Sequence, residues 1–144
     1  DEGNYTGFDL SREVIEAGKE KVIERSLDHK HPTLLVNEAQ NLKFDFLSNA
    51  RFDYILAQSV FSHLLPEHIE ECFAHLDGIM NPGARFFFTH HPGTEFRQRS
   101  QTDFEYPKSF FQKLAAQYGV TLEDYSDEYQ HPRGQRMLMA KRAG

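Results

Sequence analysis

The sequence predicts an α/β fold in which a mostly parallel β-sheet is covered by helices on both faces and ends in an antiparallel strand pair. Short apolar runs, typical of buried strands, alternate with segments whose apolar residues recur every three or four positions, as in amphipathic helices. This alternation indicates parallel pairing through crossover connections. Only a loop separates the last two predicted strands, which favours an antiparallel pair because a parallel pair needs a longer crossover.

The strands are predicted where short apolar runs are bounded by polar residues or turn formers. They cover Asn4–Phe8, Thr33–Asn37, Phe52–Gln58, Ala84–His90, Val120–Tyr125 and Gln135–Lys141. Between the second and third strands, residues 38–50 are expected to be mostly loop, and so are the polar residues 91–106 between the fourth strand and the last helix.

Three helices are predicted from the three-four spacing and from their boundary residues. They run from Ser11 to about Ser26, from Pro66 to about Met80 and from Pro107 to Gly119. Ser11 is a suitable N-cap, and a proline in the first turn costs no hydrogen bond. The run Asn81-Pro82-Gly83 is expected to stop the second helix.

Composition and charge narrow the class of protein. With 144 residues and 39% hydrophobic residues, the chain is expected to form a single globular domain over 1–144. A net charge of −6 argues against nucleic acid or an anionic membrane as partner. The expected partner is a small-molecule substrate. The single cysteine, Cys72, and the absence of a recognisable leader lead us to expect a cytoplasmic protein.

In open α/β sheets, ligands bind beyond the carboxyl ends of the strands, so the residues there are the candidates. Asp9 could accept both hydroxyls of a ribose, or it could only cap the first helix. Glu38 could accept from an adenine amino group, with the Ala39 backbone meeting the ring, or it could be a solvated loop acid. Both interpretations stay open for each residue.

The third and fourth strands end in residues suited to cofactor contact and proton transfer. Gln58 and Ser59 follow the third strand, and His63 comes shortly after them. His63 and His90 are candidate bases, although a structural role is open for each. No metal site is expected, because no carboxylate or thiol stands at ligand spacing from them. Cys72 lies on an apolar helix stripe and is expected to be a buried, unreactive thiol.

Taken together, these segments resemble the class I S-adenosylmethionine-dependent methyltransferases, which have a Rossmann-like fold. The resemblance rests on the order and spacing of four segments: YTGFDLS at 5–11, NEAQNLKF at 37–44, FDYILAQSVFSHL at 52–64 and NPGARFFF at 81–88. It implies S-adenosylmethionine as cofactor and methyl transfer as activity. It assigns the ribose to Asp9, with Leu10 beside it, the adenine to Glu38 and Ala39, and the methionine part to Gln58 and Ser59.

One departure from the family is large. The family's first strand and glycine-rich loop should come before Asp1, so we expect an N-terminally incomplete domain. The gap would lie between the strands ending at Asp9 and Gln58. Three explanations are open: a fragment of a longer enzyme, direct pairing of these two strands, or a strand supplied by another chain.

Two further hypotheses stand beside the enzyme. One is a non-catalytic methyltransferase-like module that binds a partner or forms a homo-oligomer through an exposed sheet edge. The other is half of a nicotinamide-dependent oxidoreductase, because an acid after a strand fits both nucleotide folds. The antiparallel terminal pair and the loop around Glu38 favour the methyltransferase.

Overall fold

The computed structural model describes all residues, 1–144, and the chain divides into two compact units, residues 1–41 and residues 42–144. A two-stranded sheet lies in the first unit and a six-stranded sheet in the second. None of the three helices combines the length and apolar character needed to cross a membrane.

The first unit consists of strand β1 (Thr6–Asp9), helix α1 (Arg12–Glu24) and strand β2 (Thr33–Val36). The two strands are parallel, as predicted, with Thr6 opposite Thr33 and Asp9 opposite Val36. The predicted N-cap is confirmed, because the Ser11 hydroxyl oxygen accepts from the backbone N–H of Val14 at 3.3 Å.

Two glycines of the first unit lie against one leucine. A Cβ atom on Gly7 would come within 3.1 Å of the Leu34 side chain, and one on Gly18 within 3.5 Å of it. Gly18 belongs to α1, and a Cβ atom there would only make an ordinary van der Waals contact, so the tight approach is the one at Gly7.

The second unit contains the remaining elements. They are β3 (Phe52–Ala57), α2 (Pro66–Ile79), β4 (Met80–Pro92), β5 (Arg97–Gln98), β6 (Phe104–Tyr106), α3 (Lys108–Gln117), β7 (Val120–Asp124) and β8 (Arg136–Arg142). Strand β4 pairs in parallel with β3 and β6 and in antiparallel with β8. The predicted antiparallel pair at the end of the chain is confirmed as β7 and β8.

The start of β4 differs from the sequence prediction, which placed it at Ala84. The helix stop before Asn81 is confirmed, but the chain enters β4 at once instead of passing through a turn. A bulge accommodates this, because Phe52 pairs with Met80 while Tyr54 pairs with Arg85. Gly83, with φ of +77°, provides the left-handed backbone inside the bulge.

The prediction of a continuous polar loop over residues 91–106 is wrong. Strand β4 continues through His91 and Pro92, and β5 and β6 form a short antiparallel ribbon. In β6, Phe104 and Tyr106 are buried with Glu105 half-buried between them, which is the alternation of a strand. Three residues are too few for this alternation to stand out from the polar sequence around them.

Two arginines satisfy the C-terminal end of α2. Arg51 donates through Nη1 to the carbonyl oxygens of Asp77 and Met80, at 3.1 and 2.9 Å. Arg142 donates to the same two oxygens, and its Nε lies 2.6 Å from the Asp77 carboxylate. Cations at this position complement the negative end of the helix dipole.

Helices α2 and α3 pack against one face of β4 through aromatic rings. Phe73 of α2 lies 5.8 Å from Phe88, and Phe111 of α3 lies 5.0 Å from the same ring. Phe61, which is also fully buried, stacks parallel to Phe111 at 6.1 Å. Much of the high phenylalanine content of the chain therefore lies in the core of the second unit.

His90 belongs to this core. Its ring lies 4.8 Å from that of Phe111, and only 2% of its surface is exposed. Burial lowers the pKa of His90 to about 4, against the small opposing effect of its hydrogen bonds to the His91 and Tyr106 backbones. The imidazole is consequently neutral at pH 7.

The burial of His90 predicts a contribution to the pH dependence of stability, and this contribution is lost in the variant His90→Gln. Since the pKa of His90 is lowered on folding, the unfolded chain binds more protons than the folded chain between about pH 6.5 and pH 4. The free energy of unfolding therefore decreases as the pH is lowered through this window. We expect the wild type to lose roughly 1 to 2 kcal/mol more than the variant between pH 7.5 and pH 5.5, measured by urea unfolding. His75→Gln, which alters an exposed histidine of α2, is the control and should follow the wild type. Equal losses in wild type and His90→Gln would contradict the assignment.

Candidate functional site

The carboxyl ends of β1 and β2 lie side by side at one edge of the first unit. The two strands are parallel, and the N–H of Asn37 donates to the carbonyl oxygen of Asp9 at 2.9 Å. The segments that follow the strands, beginning at Leu10 and Asn37, are therefore neighbours. The structure brings together the Asp9 and Glu38 segments that the sequence singled out.

Asp9 is exposed and orders the turn into α1. Its Oδ1 accepts from the backbone N–H of Ser11 at 2.8 Å. The capping interpretation of Asp9 thus describes a real contact, but a carboxylate has further acceptor capacity and this one faces solvent. Leu10, which follows it, is 57% exposed.

Glu38 forms an ion pair with Arg12 in the first turn of α1. Both side chains are largely exposed, so the pair contributes at most about 1 kcal/mol and exchanges partners easily. Ala39 lies in the exposed turn that is closed by the N–H of Gln40 donating to the carbonyl oxygen of Asn37 at 3.2 Å. The sequence did not indicate the Arg12 contact, because the partners are 26 residues apart.

Asn37 is a polar residue that the sequence analysis missed. It is 1% exposed, and its side-chain Nδ2 donates to the Asn41 carbonyl oxygen at 2.8 Å. Its Oδ1 is buried without a hydrogen-bond partner, which costs roughly 1 to 3 kcal/mol. The edge therefore exposes two acceptor side chains, on Asp9 and Glu38, while the Oδ1 of Asn37 is out of reach of a ligand, and it suits a ligand that presents hydroxyl and amino donors.

In the second unit, β3 ends in an unusual turn. Gln58 is exposed, and Ser59 has φ of +56°, a left-handed conformation that costs a residue with a side chain about 1 to 2 kcal/mol. The backbone N–H of Ser59 donates to the Thr89 hydroxyl oxygen at 2.8 Å. The turn after β3 is thus tied to β4.

The Ser59 side chain belongs to a hydrogen-bonded chain. The Arg133 N–H donates to His131 Nδ1 at 3.1 Å, so Nε2 of this ring carries the proton and donates to the Ser59 hydroxyl at 3.1 Å. The Thr89 hydroxyl donates to Gln135 Oε1 at 2.6 Å. Because His131 is a donor here, the arrangement does not activate Ser59 as a nucleophile.

His63 stands at the end of a short 3₁₀ helix (Phe61–His63), beside an open cavity of about 610 Å³. Its Nδ1 donates to the Thr102 carbonyl oxygen at 2.8 Å and lies 3.3 Å from the Asp103 carboxylate. This fixes the proton on Nδ1 and leaves Nε2 as the acceptor. The cavity is lined by His63, Leu65, His68, Gln101, Thr102 and Phe104.

The other candidate groups of the second unit have less access to solvent. His90 lies in the aromatic core described above, and burial, followed by the Arg99 cation, lowers the pKa of neighbouring His91. Burial, with a smaller effect of Glu71, raises the pKa of the Cys72 thiol to about 12, so it is unreactive at pH 7. The chain holds no group of three or more His, Cys, Asp or Glu residues placed to bind a metal ion.

Solved structures with a similar fold include methyltransferases of several kinds. Magnesium protoporphyrin IX methyltransferase from Synechocystis, solved with bound S-adenosylmethionine, superposes with a TM-score of 0.70 at 16% identity, over 96% of this chain and 59% of that one. An S-adenosylmethionine-dependent methyltransferase from Clostridium acetobutylicum gives 0.70 at 16% identity, over 98% and 76%. An O-methyltransferase family protein from Burkholderia thailandensis gives 0.70 at 10% identity, over 96% and 43%. The chain thus spans 59% of the length of the Synechocystis enzyme.

At these identities the structural likeness shows the fold, and the family follows from the sequence. The family model described as a methyltransferase domain matches residues 1–86, which is more than half of the chain. The matched part includes both strand ends of the first unit and the turn after β3. The chain belongs to the methyltransferase domain family.

Proposed function

We propose that this chain binds S-adenosylmethionine and transfers its methyl group to a small-molecule acceptor. The edge of the first unit where the exposed carboxylates of Asp9 and Glu38 follow two adjacent parallel strands is the observation that carries the proposal. Membership of the methyltransferase domain family supports it, as do the structural neighbours solved with S-adenosylmethionine or S-adenosylhomocysteine. The net charge of −6 favours a small acceptor over nucleic acid.

The donor groups of a nucleoside fit this edge. A ribose has two hydroxyls, and a carboxylate such as that of Asp9 can accept a hydrogen bond from each. Adenine has an amino group, and the Glu38 carboxylate can accept a hydrogen bond from it. For this contact Glu38 exchanges its exposed Arg12 partner for the base, a change that costs little because surface ion pairs are weak. Ala39 and Leu10, both exposed, provide small and apolar surface beside these acids.

The cofactor supplies an electrophilic methyl group on a sulfonium, so the protein has mainly to align the reactants and exclude water. We assign the methionine part to the turn at Gln58 and Ser59. The backbone N–H of Ser59 already donates to the Thr89 hydroxyl oxygen and is not available to the cofactor. Other groups of the turn, such as the exposed side-chain amide of Gln58, therefore have to contact the methionine part.

We assign the acceptor to the cavity beside His63. Its walls combine the apolar surface of Leu65 and Phe104 with polar groups of His68 and Gln101, which suits a small, partly polar molecule. About half of the His63 side chain is exposed. Its proton lies on Nδ1, where it faces the Thr102 carbonyl and the Asp103 carboxylate, so Nε2 is unprotonated. It can therefore remove a proton from an acceptor that needs deprotonation. His90, buried in the core, has no such access.

Loss of the Asp9 carboxylate should weaken nucleoside binding. We expect Asp9→Ala to raise the dissociation constant for S-adenosylhomocysteine, measured by calorimetry, at least about tenfold, because hydrogen bonds to a charged group are lost. Asp28→Ala, at an exposed acid of the same unit, is the control and should bind like the wild type. Asp9→Asn keeps an acceptor for the Ser11 N–H and separates binding from local folding. A wild-type chain that does not bind would overturn the proposal, and unchanged binding by Asp9→Ala would overturn the role of Asp9.

Removal of the His63 base should lower turnover without affecting cofactor binding. Using S-adenosylmethionine with a radioactive methyl group and a panel of small hydroxyl, amine, thiol and carboxylate compounds, we expect transfer to at least one class. For an acceptor that requires deprotonation, His63→Gln should lower kcat about 10² to 10⁴-fold and leave the KM for the cofactor unchanged. His75→Gln, at an exposed histidine of α2 that does not line this cavity, is the control and should leave kcat unchanged. Equal loss in both variants would argue against a base at His63.

A second candidate function is self-association through β3. This strand pairs with β4 alone, so its other edge carries no strand, and Tyr54 and Leu56 on it are 68% and 62% exposed. An open strand edge bearing apolar side chains is a surface on which a second copy can add a strand.

Light scattering tests this second function. If β3 pairs with a second copy, the chain is dimeric at micromolar concentration, and Leu56→Lys makes it monomeric, because a buried lysine at the new contact is unfavourable. Lys113→Ala, on the exposed face of α3, should leave the mass unchanged. A monomeric wild type would exclude self-association by this edge and leave the enzymatic proposal unaffected.

A further inference from the structure

The turn after β3 combines backbone strain with an unusually dense set of tertiary hydrogen bonds. Ser59 holds a left-handed φ, of +56°, although it is not a glycine, as do the exposed Ser26 and Ser48, whose N–H groups bond only to carbonyls three residues earlier. The three bonds that hold Ser59 come from residues 30, 72 and 76 positions away in sequence. The conformation of this turn is therefore imposed from outside the turn.

Thr89 is the residue that contacts the strained backbone itself. It is fully buried, accepts from the Ser59 N–H, and donates its own proton to Gln135 Oε1. A threonine hydroxyl has one proton, so the bond to Gln135 directs that proton away and turns a lone pair towards Ser59. Gln135 thus sets the orientation that lets Thr89 hold the turn.

Gln135 is in turn held from two sides. Gln135 is 5% exposed, and its Nε2 donates to the buried Ser62 hydroxyl at 3.5 Å. Its Oε1 accepts from the hydroxyls of Thr89 and Ser59, so one orientation of the amide satisfies all three bonds. It belongs to the segment before β8 that also carries His131, whose ring donates to the Ser59 side chain. The connection between β7 and β8 therefore helps to shape the turn that follows β3.

We propose that Thr89 and Gln135 are positioning residues that preform the turn at Gln58 and Ser59 for the methionine part of the cofactor. The inference rests on the proposed function, since that function assigns this turn to the cofactor. Without these bonds Ser59 relaxes to an ordinary extended or helical backbone, and the direction of the Gln58 side chain changes with it. The ligand then has to restore the strained turn at the expense of its own binding energy.

The test compares Thr89→Val, which keeps the shape of the side chain but removes the hydroxyl, with Thr89→Ser, which retains it. One readout needs no ligand: amide hydrogen exchange at Ser59, followed by NMR. The other is the dissociation constant for S-adenosylhomocysteine. We expect Thr89→Val to accelerate exchange at Ser59 and weaken binding, each about tenfold, while Thr89→Ser stays within about twofold of the wild type.

Thr121→Val is the matched control, because its hydroxyl also bonds a backbone group but lies on exposed β7. If Thr89→Val does not fold, Gln135→Met removes the acceptor of the Thr89 proton and should give the same two changes. Unchanged exchange at Ser59 in a folded variant overturns the positioning role. Accelerated exchange with unchanged binding overturns the link to the cofactor. Failure of the wild type to bind refutes the proposed function instead, and the exchange comparison still decides whether Thr89 holds the turn.

Discussion

The second unit depends on the register between β3 and β4. In this register Ala57 lies opposite Phe88, which places the phenylalanines at 86 and 88 against α2 and α3 and puts Thr89 within reach of the turn that follows β3. Because side chains alternate along a strand, a slip of one residue would expose the phenylalanine face and withdraw Thr89 from Ser59. The same pairing therefore decides both the aromatic core and the shape of the candidate cofactor turn.

The first unit is small and largely exposed, and only Ile15 and Asn37 are buried in it. The parallel pairing of β1 with β2 brings the carboxyl ends of both strands to one edge. Their ends then offer Asp9 to solvent and keep the Oδ1 of Asn37 buried without a partner. The exposed carboxylates of Asp9 and Glu38 are therefore the groups at this edge that a ligand can reach.

The sequence predicted those features that depend on near neighbours. The Ser11 cap, the three helices and the six main strands each follow from spacing within one segment, and the terminal antiparallel pair follows from the short connection between β7 and β8. Strands β5 and β6 were missed because they are two and three residues long and stand in polar sequence. The ion pair of Arg12 with Glu38 and the bond of Thr89 to Gln135 join residues 26 and 46 positions apart, which local patterning cannot connect.

The difference between local pattern and contacts from distant residues also separates the two candidate histidines. It decides which of them can act as the proposed base. His63 and His90 looked alike in the sequence, as imidazoles after strands. Burial against Phe111 keeps His90 neutral and inside the core, whereas the Thr102 carbonyl and the Asp103 carboxylate fix the proton of His63 and leave its other nitrogen facing the cavity. A base needs both access and a defined tautomer, and these come from backbone and side chains that the fold brings to His63 from 39 or more residues away. The proposed role of His63 as a base thus depends on tertiary contacts made to this histidine, which its position after a strand does not reveal.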